Sequence, residues 1–261
     1  MTLNHVRRGS GETLVLVHGL GSQWQIWRPQ LDRLAAERDV VALDLPGFGG
    51  SAPLPTDERP TVERLTAVVC ELMDELGLDR PHVAGFSLGG GIALEVARSG
   101  RARSVTALAP IGFWTRRERI YERALFRVSV GPGRRRAELT ARLNRNPLAR
   151  TLTTWHMCAR PWRVPPDDAE RAVANLLTSP GFDPTLDAHL EYLFRNGREI
   201  EVPITVAWGD LDLVLLSWQR FRARRALPQA RHVTLRRCGH VPHWDDPDAV
   251  TDVIRTGSSR S

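Results

Sequence analysis

The chain has 261 residues and 42% of them are hydrophobic, enough to form the core of one large α/β unit. No apolar stretch approaches the roughly 20 residues that a membrane-spanning helix needs, and the N-terminal MTLNHVRRGSGE lacks the apolar run and cleavage site of a secretory signal. The net charge is +6 without a single lysine, but no nucleic-acid-binding motif accompanies the arginines, so we expect neither a membrane nor a nucleic-acid partner.

Short apolar runs alternate with helical patterns up to residue 112, and the alternation resumes after residue 198. This order is typical of βαβ units around a parallel sheet whose strands are buried on both faces. After an edge strand within residues 2–8, six strands are predicted at Thr13–Val17, Val40–Leu43, His82–Ala84, Ser104–Leu108, Ile204–Ala207 and Arg231–Leu235. Helices are predicted at 62–76, Leu88–Arg98, Trp218–Ala226 and Asp248–Ile254.

Residues 113–198, called the insertion below, interrupt the alternation. They contain arginine clusters, breakers such as Gly-Pro-Gly at 131–133, and helical fragments. This composition predicts a helical cap inserted between two parts of one core, residues 1–112 and 199–256. Residues 257–261 are predicted to form a frayed tail.

The three cysteines, Cys70, Cys158 and Cys238, are far apart in the sequence. They have no metal-binding spacing, so no metal site is predicted. An odd number of separated cysteines is typical of reduced thiols, which favours a cytoplasmic protein. The sequence leaves the oligomeric state open.

A serine surrounded by glycines stands where one predicted strand ends and a predicted helix begins. Gly85-Phe86-Ser87-Leu88-Gly89 fits G-x-S-x-G in the strand–turn–helix context that this motif requires. Small neighbours permit a sharp turn that presents the Ser87 hydroxyl above the sheet edge, and the helix N-terminus favours negative charge there. The pattern indicates a nucleophile, although alone it also fits a tight turn with an idle serine.

A serine hydroxyl is a weak nucleophile that needs a base, and the base needs an orienting carboxylate. His240 follows the last predicted strand, and Asp212 lies just beyond the strand before it. The chain order Ser, Asp, His is the order used on this type of sheet. Asp210 competes for the acid role, but it directly follows Trp208-Gly209 and is better placed to hold the turn.

The loop after the first strong strand, residues 18–21, can supply a backbone N–H donor. We predict that the amides of Leu20 and Leu88 form an oxyanion hole. His18 is expected to be a structural hydrogen-bonder beneath this loop, and residues 44–51 to form a structural turn.

Several aromatic residues are candidates for the substrate pocket. Trp24 follows the oxyanion loop, and Trp114, Trp155 and Trp162 belong to the insertion, so all four are predicted to line an apolar acyl or alcohol pocket. Plain core packing is the alternative for each. His243 is expected at the pocket rim or on the surface.

These pieces, in this order and at these strand ends, closely resemble the α/β-hydrolase superfamily over nearly the whole chain outside the insertion. The resemblance implies a mostly parallel sheet of about seven to eight strands flanked by helices, with the insertion as the family's cap. By the same resemblance, Ser87 is the nucleophile, His240 the base and Asp212 the orienting acid. The N-terminus is short, so one of the family's two leading strands is expected to be missing.

The residue types at the predicted site disfavour some of the reactions known in this superfamily. A serine nucleophile disfavours the haloalkane dehalogenases and epoxide hydrolases of this superfamily, which attack with aspartate, and His-Gly-Leu-Gly lacks the Gly-Pro-Gly run common in C–C bond hydrolases of aromatic degradation. The resulting hypothesis is a serine esterase, without metal or organic cofactor, acting on small to medium, neutral lipophilic esters. A C–C bond or lactone hydrolase and a cofactor-free perhydrolase use the same triad. A non-hydrolytic ligand-binding receptor is the alternative of another class.

Overall fold

The computed structural model describes residues 2–259 and contains one seven-stranded sheet. The strands are β1 His5–Arg8, β2 Thr13–Val17, β3 Asp39–Leu43, β4 His82–Phe86, β5 Ser104–Leu108, β6 Ile204–Gly209 and β7 Arg231–Leu235. Their order across the sheet is β1-β3-β2-β4-β5-β6-β7, and every pair is parallel except β1 with β3. The predicted mostly parallel sheet is confirmed, with a single leading antiparallel strand.

Eleven α-helices surround this sheet in the described part of the chain. Six belong to the core: α1 Arg28–Ala35, α2 Val62–Glu75, α3 Leu88–Arg98, α9 Gln219–Ala226, α10 Pro242–Asp245 and α11 Pro247–Ser258. The other five, which lie between β5 and β6, are α4 Arg116–Arg134, α5 Ala137–Leu143, α6 Pro147–Thr154, α7 Pro166–Thr178 and α8 Phe182–His189. Short 3₁₀ helices lie at Trp24–Trp27, Pro161–Arg163 and Gly197–Glu199. The inserted helical region is therefore confirmed.

The alternation of side chains along the strands builds two hydrophobic layers, one on each face of the sheet. In β2, Val15 and Val17 enter the layer beneath α2 and α3, whereas Leu14 and Leu16 enter the layer beneath α1 and α11. Both faces are covered, which is why the strand is apolar along its whole length. The carboxyl ends of the parallel strands consequently lie at one edge, where β2, β4, β6 and β7 each continue into a loop that carries a candidate site residue.

The C-terminal end differs from the prediction. Residues 257–261 are not all tail, because α11 continues through Ser258, and Gly257 is buried so closely that a Cβ there would overlap the Thr106 hydroxyl. Val250, Ile254 and Gly257 recur at helical spacing, so the inward face continues past the predicted end of the helix. Residues 260 and 261 lie outside the described residues. Within residues 2–259 no helix is both long and apolar enough to cross a membrane.

Candidate active site

Ser87 occupies the turn between β4 and α3 with backbone angles φ 56° and ψ −115°. A non-glycine residue in this region is strained by about 1–3 kcal/mol and persists only where its surroundings hold it. Here the Ser87 amide donates to the Leu108 carbonyl at 2.9 Å, and the Ser87 carbonyl accepts from the amides of Gly90 at 2.9 Å and Ile111 at 3.2 Å. These bonds fix the turn and leave the hydroxyl free to project from it.

The glycines around Ser87 allow three backbone segments to touch. A Cβ on Gly89, in the first turn of α3, would overlap the Val17 carbonyl at the end of β2. A Cβ on Gly85 would overlap the Gly89 carbonyl, and one on Gly19 would lie 3.0 Å from the Ser87 Cβ. The loop after β2 therefore lies directly against the serine turn, an approach that side chains at these positions would prevent.

One hydrogen-bonded chain connects the three predicted triad residues. The Ser87 Oγ lies 3.1 Å from His240 Nε2, and His240 Nδ1 lies 2.9 Å from Asp212 Oδ2. The other carboxylate oxygen, Asp212 Oδ1, accepts from the amides of Val214 and Leu215, both at 2.9 Å. Because the carboxylate accepts at Nδ1, Nε2 is left with its lone pair facing the hydroxyl. All three side chains belong to buried residues.

Asp210 does not join this chain. It follows β6 directly, and its amide donates to the Leu235 carbonyl at 3.1 Å across the end of the sheet. Its Oδ1 is buried without a partner within residues 2–259, and the bond to the imidazole of His240 is made by Asp212 instead. The placement matches the preference for Asp212 drawn from the sequence.

The predicted oxyanion loop is held from beneath by His18. The fully buried ring contacts the Gly19 carbonyl through Nδ1 at 2.7 Å and accepts from the Leu45 amide through Nε2 at 2.9 Å. Burial lowers the pKa of His18, so the ring is neutral and both nitrogens serve the backbone. The amides of Leu20 and Leu88 donate to no other protein group in the described chain, which leaves them available to a ligand.

The turn at residues 44–51 is tied into the same loop. The Asp44 carboxylate accepts from the side chain of Asn4 at 2.7 Å and from the amides of Trp24 at 2.7 Å and Gly50 at 2.8 Å. It thus connects the residues before β1, the segment after the oxyanion loop and its own turn. The role of this turn is structural, as predicted.

An apolar cavity of about 90 Å³ adjoins the hydrogen-bonded chain. Leu20, Phe86 and Val241 line it from the core, and each is an oxyanion-loop residue or a direct neighbour of Ser87 or His240. The opposite wall is supplied by the insertion, through Thr154, Met157, Val164, Val173 and Leu176. A ligand bound here would contact the core at its reacting end and the insertion elsewhere.

The four tryptophans predicted to line the pocket lie elsewhere. Trp114 is buried and donates to the Tyr192 carbonyl at 2.9 Å, which is the core packing considered as the alternative. Trp155 and Trp162 are exposed, and Trp24 packs partly buried in the layer beneath α1. The tryptophan at the cavity is Trp244, four residues after His240. Trp244 lies in the short helix α10, which begins at Pro242, after the loop that carries His240.

His243 is not at the rim or on the surface; this expectation was wrong. Its ring is fully buried, 4.6 Å from the Trp27 ring and 4.9 Å from the Phe86 ring, because the short helix α10 turns it inward. Burial and the nearby charge of His240 lower the pKa of His243 to about 3. Neither ring nitrogen has a protein partner within residues 2–259. The imidazole is therefore a neutral packing group behind the site.

Asp245 was not among the predicted site residues. It joins the insertion to the loop before α10 that carries His240, called the histidine loop below. Its buried carboxylate accepts from the Gly239 amide at 2.8 Å, next to His240. It also accepts from the amides of Ala159 at 2.9 Å and Arg160 at 2.8 Å in the insertion. One side chain thus holds both the position of His240 and the position of the cavity wall.

A second bond reinforces this joint, since the Val241 amide donates to the Met157 carbonyl at 2.7 Å. No sequence pattern distinguishes Asp245 from its neighbour: two acids before a proline predict a helix start. Only Asp246 plays that part, accepting from the Ala249 amide at 2.9 Å.

Most of the chain is similar to known proteins. Residues 14–253 match the model of the Alpha/beta hydrolase family. The epoxide hydrolase EphH of Mycobacterium tuberculosis is 32% identical over 195 residues, which cover 70% of this chain and 87% of that protein.

One curated protein and one solved structure are similar to this chain over different extents. The dihydrolipoyllysine-residue acetyltransferase component of the acetoin cleaving system of Cupriavidus necator is 40% identical over 114 residues, covering 42% of this chain and only 30% of that protein. A thermophilic esterase from Thermogutta terrifontis superposes with a TM-score of 0.78 at 23% identity, covering 97% of this chain and 92% of the esterase. At that identity the match shows a shared fold alone.

Proposed function

Because this chain belongs to the alpha/beta hydrolase family, we propose that its reaction is the hydrolysis of carboxylic esters through an acyl-enzyme on Ser87. The observation that carries the proposal is the hydrogen-bonded chain from the Asp212 carboxylate through His240 to the Ser87 hydroxyl, buried beside an apolar cavity. A receptor has no use for a carboxylate that orients an imidazole toward a serine. This arrangement favours an enzyme over a ligand-binding protein.

In the proposed mechanism, Ser87 attacks the ester carbonyl while His240 Nε2 removes the hydroxyl proton. Asp212 keeps the proton on Nδ1 and stabilises the imidazolium, and the amides of Leu20 and Leu88 stabilise the oxyanion. His240 returns the proton to the leaving alcohol. Water then attacks the acyl-enzyme with the same histidine as base.

The cavity and the charges support small to medium, neutral acyl groups. A cavity of about 150 Å³ holds benzene, so the space of about 90 Å³ seen here suits a short acyl chain. Arg150 is the single arginine at this cavity in the described chain, and its guanidinium donates to the carbonyls of Pro161 and Asn144, both at 2.7 Å. With that charge engaged by the backbone, apolar contacts dominate the wall. We further propose that residues 113–198 act as the cap, with 1–112 and 199–256 as the core.

Other reactions use the same triad. C–C bond or lactone hydrolysis and perhydrolysis differ in the bond cleaved or in the attacking oxygen, and the geometry of the triad is common to them. Epoxide hydrolysis, named for one relative, is disfavoured here because position 87 is serine rather than aspartate.

Labelling and turnover of the Ser87→Ala variant test the proposal. The variant should lose fluorophosphonate labelling and lower kcat for p-nitrophenyl esters by at least about 10³-fold, with an unchanged melting temperature. The substrates are a series from acetate to palmitate, a carboxylate-bearing analogue and a meta-cleavage diketone. We expect short neutral esters to be turned over fastest. Turnover by the alanine variant within about tenfold of wild type contradicts the role of Ser87, and preference for the diketone would replace ester by C–C cleavage.

A further inference from the structure

Exposed hydrophobic side chains are concentrated in the insertion. Among the described residues, large hydrophobic side chains remain exposed outside it at only four positions, Leu211, Leu213, Trp218 and Phe221. A soluble surface normally exposes such side chains singly, so a cluster indicates a surface that contacts something else.

The densest cluster follows one side of α6. Leu148 is 69% exposed, Leu152 70% and Trp155 55%, and their spacing of four and three residues puts them on the same side of the helix. Trp162, 53% exposed, belongs to the 3₁₀ helix Pro161–Arg163, which packs against α6. We call these four side chains, Leu148, Leu152, Trp155 and Trp162, the α6 face.

The other side of α6 faces the cavity. Arg150 and Thr154 line it. In sequence they alternate with Leu148, Leu152 and Trp155, and on the helix they lie on the opposite side. A single helix therefore separates the substrate cavity from the exposed apolar surface. A partner that binds the α6 face contacts the helix whose other side lines the cavity.

The charge around the α6 face is positive. Residues 139–166 contain five arginines and no acidic residue. Arg142 is paired with Glu138, Arg145 is paired with acids that follow the stretch, and Arg150 is buried. The side chains of Arg160 and Arg163 are left without an acidic partner within residues 2–259. Arg163 is exposed next to Trp162. Of the first three acids after this stretch, Asp167 and Glu170 are paired with Arg145 at 2.5 Å and 2.8 Å, and Asp168 is paired with Arg28 and Arg171.

We propose that the α6 face docks onto an anionic lipid surface, with α6 lying in the plane of the interface. Exposed leucines and tryptophans beside arginines are the combination that such a surface binds, the apolar side chains entering the acyl boundary and the arginines reaching the head groups. A second copy of the chain is disfavoured, because pairing two such faces brings the unpaired Arg163 of each copy into one interface. The sequence predicted no membrane partner from the lack of a spanning segment, which interfacial docking does not require.

Sedimentation of the full chain with lipid vesicles tests the proposal. We expect strong binding to vesicles of phosphatidylcholine mixed with phosphatidylglycerol and weak binding to phosphatidylcholine alone. Binding should weaken in about 0.5 M salt, where the Debye length is only about 4 Å. The double variant Leu148→Ser/Leu152→Ser should bind at least about tenfold more weakly, and Arg163→Gln should reduce the preference for anionic vesicles. Phe221→Ser, which removes a large apolar side chain that is 53% exposed outside the insertion, should bind as wild type does.

Two control measurements distinguish a loss of vesicle binding from a loss of folding or of esterase activity. Hydrolysis of a short soluble ester without vesicles and the melting temperature should be unchanged in the double variant, so a failure of docking is separate from a failure of the esterase mechanism. Absence of binding to either vesicle, or equal binding by the wild type and the double variant, overturns the proposal. So does a dimer or a complex with an acidic protein that forms through the α6 face while vesicles do not bind.

Discussion

The core and the insertion differ in how tightly their backbones pack and in which side chains they expose. In the core, the serine turn is built from backbone in direct contact with backbone, and before residue 113 no large hydrophobic side chain of the described chain is exposed. The insertion exposes leucines, tryptophans and arginines, and it contributes side chains to a cavity wall rather than to the triad. We infer that the proposed chemistry depends on the closely packed core, whereas the proposed contacts with a substrate or a surface lie largely on the insertion.

The largest expected effect lies at the acid of the triad. Asp212→Asn should lower kcat by about 10³–10⁴-fold, because the imidazole loses the carboxylate that holds its tautomer and stabilises its charge. Asp210→Asn, two residues away, should lower kcat less than tenfold. Steady-state kinetics on one soluble ester decide between them. A larger loss at position 210 would move the acid role to Asp210.

Alanine substitutions at two helical glycines compare how tightly the backbone packs in the core and in the insertion. Gly89→Ala should lower the free energy of unfolding by about 3 kcal/mol or more, since the added methyl group overlaps the backbone of β2. Gly131 in α4 has open space around it. There the helix propensity gained by alanine is opposed by the restriction from Pro132, so Gly131→Ala should stay within about 1 kcal/mol. Urea unfolding gives both values, and equal losses would remove the distinction.

The hydrogen bonds of Asp245, which connect the core to the insertion, should affect kcat more than KM. Asp245→Asn turns an amide toward three backbone donors, so at least one buried N–H loses its acceptor, at a cost of about 1–3 kcal/mol. Because Gly239 precedes His240, we expect kcat to fall about 10–100-fold with KM changing much less. Asp248→Asn, on the exposed side of α11, is the control. An unchanged kcat, or a change confined to KM, would contradict a role of Asp245 in positioning His240.

Acid sensitivity of about 1.4 kcal/mol per pH unit for each of two buried histidines should appear, one in each region. Burial lowers the pKa of His243 in the core to about 3 and of His156 in the insertion to about 4. Below about pH 6.5 the unfolded chain binds protons at these imidazoles that the folded chain does not, so stability is fully present above that pH and falls on acidification. His243→Leu and His156→Leu should each flatten the dependence of the unfolding midpoint on pH between about 6.5 and about 4. His5→Asn serves as control, and parallel curves for all variants would contradict the assignment.

The elements that repeat a simple pattern were predictable from sequence. Thr13–Val17, Ser104–Leu108 and Arg231–Leu235 have the predicted bounds, and the motifs at strand ends brought Ser87 and His240 together. Strands buried on both faces and glycine turns are local patterns, which is why they can be predicted from short stretches of sequence.

The directions of side chains in irregular segments were less predictable. Trp155 and Trp162 are exposed and His243 is buried, although the sequence analysis placed the tryptophans in the pocket and His243 at its rim or on the surface. Their orientation depends on how the insertion packs on the core, a long-range property without a repeating signal. The part played by Asp245 depends on the same packing.

The Asp245 joint also limits how freely this architecture can be recombined. A chimera that replaces residues 113–198 with the corresponding region of another protein would keep Asp245 but change the amides at Ala159 and Arg160 that it binds. The histidine loop would then lose part of its support even though the triad itself was untouched. Functional crossovers should therefore transfer residues 157–160 together with 239–245 as a single block, despite the roughly eighty residues of sequence between them.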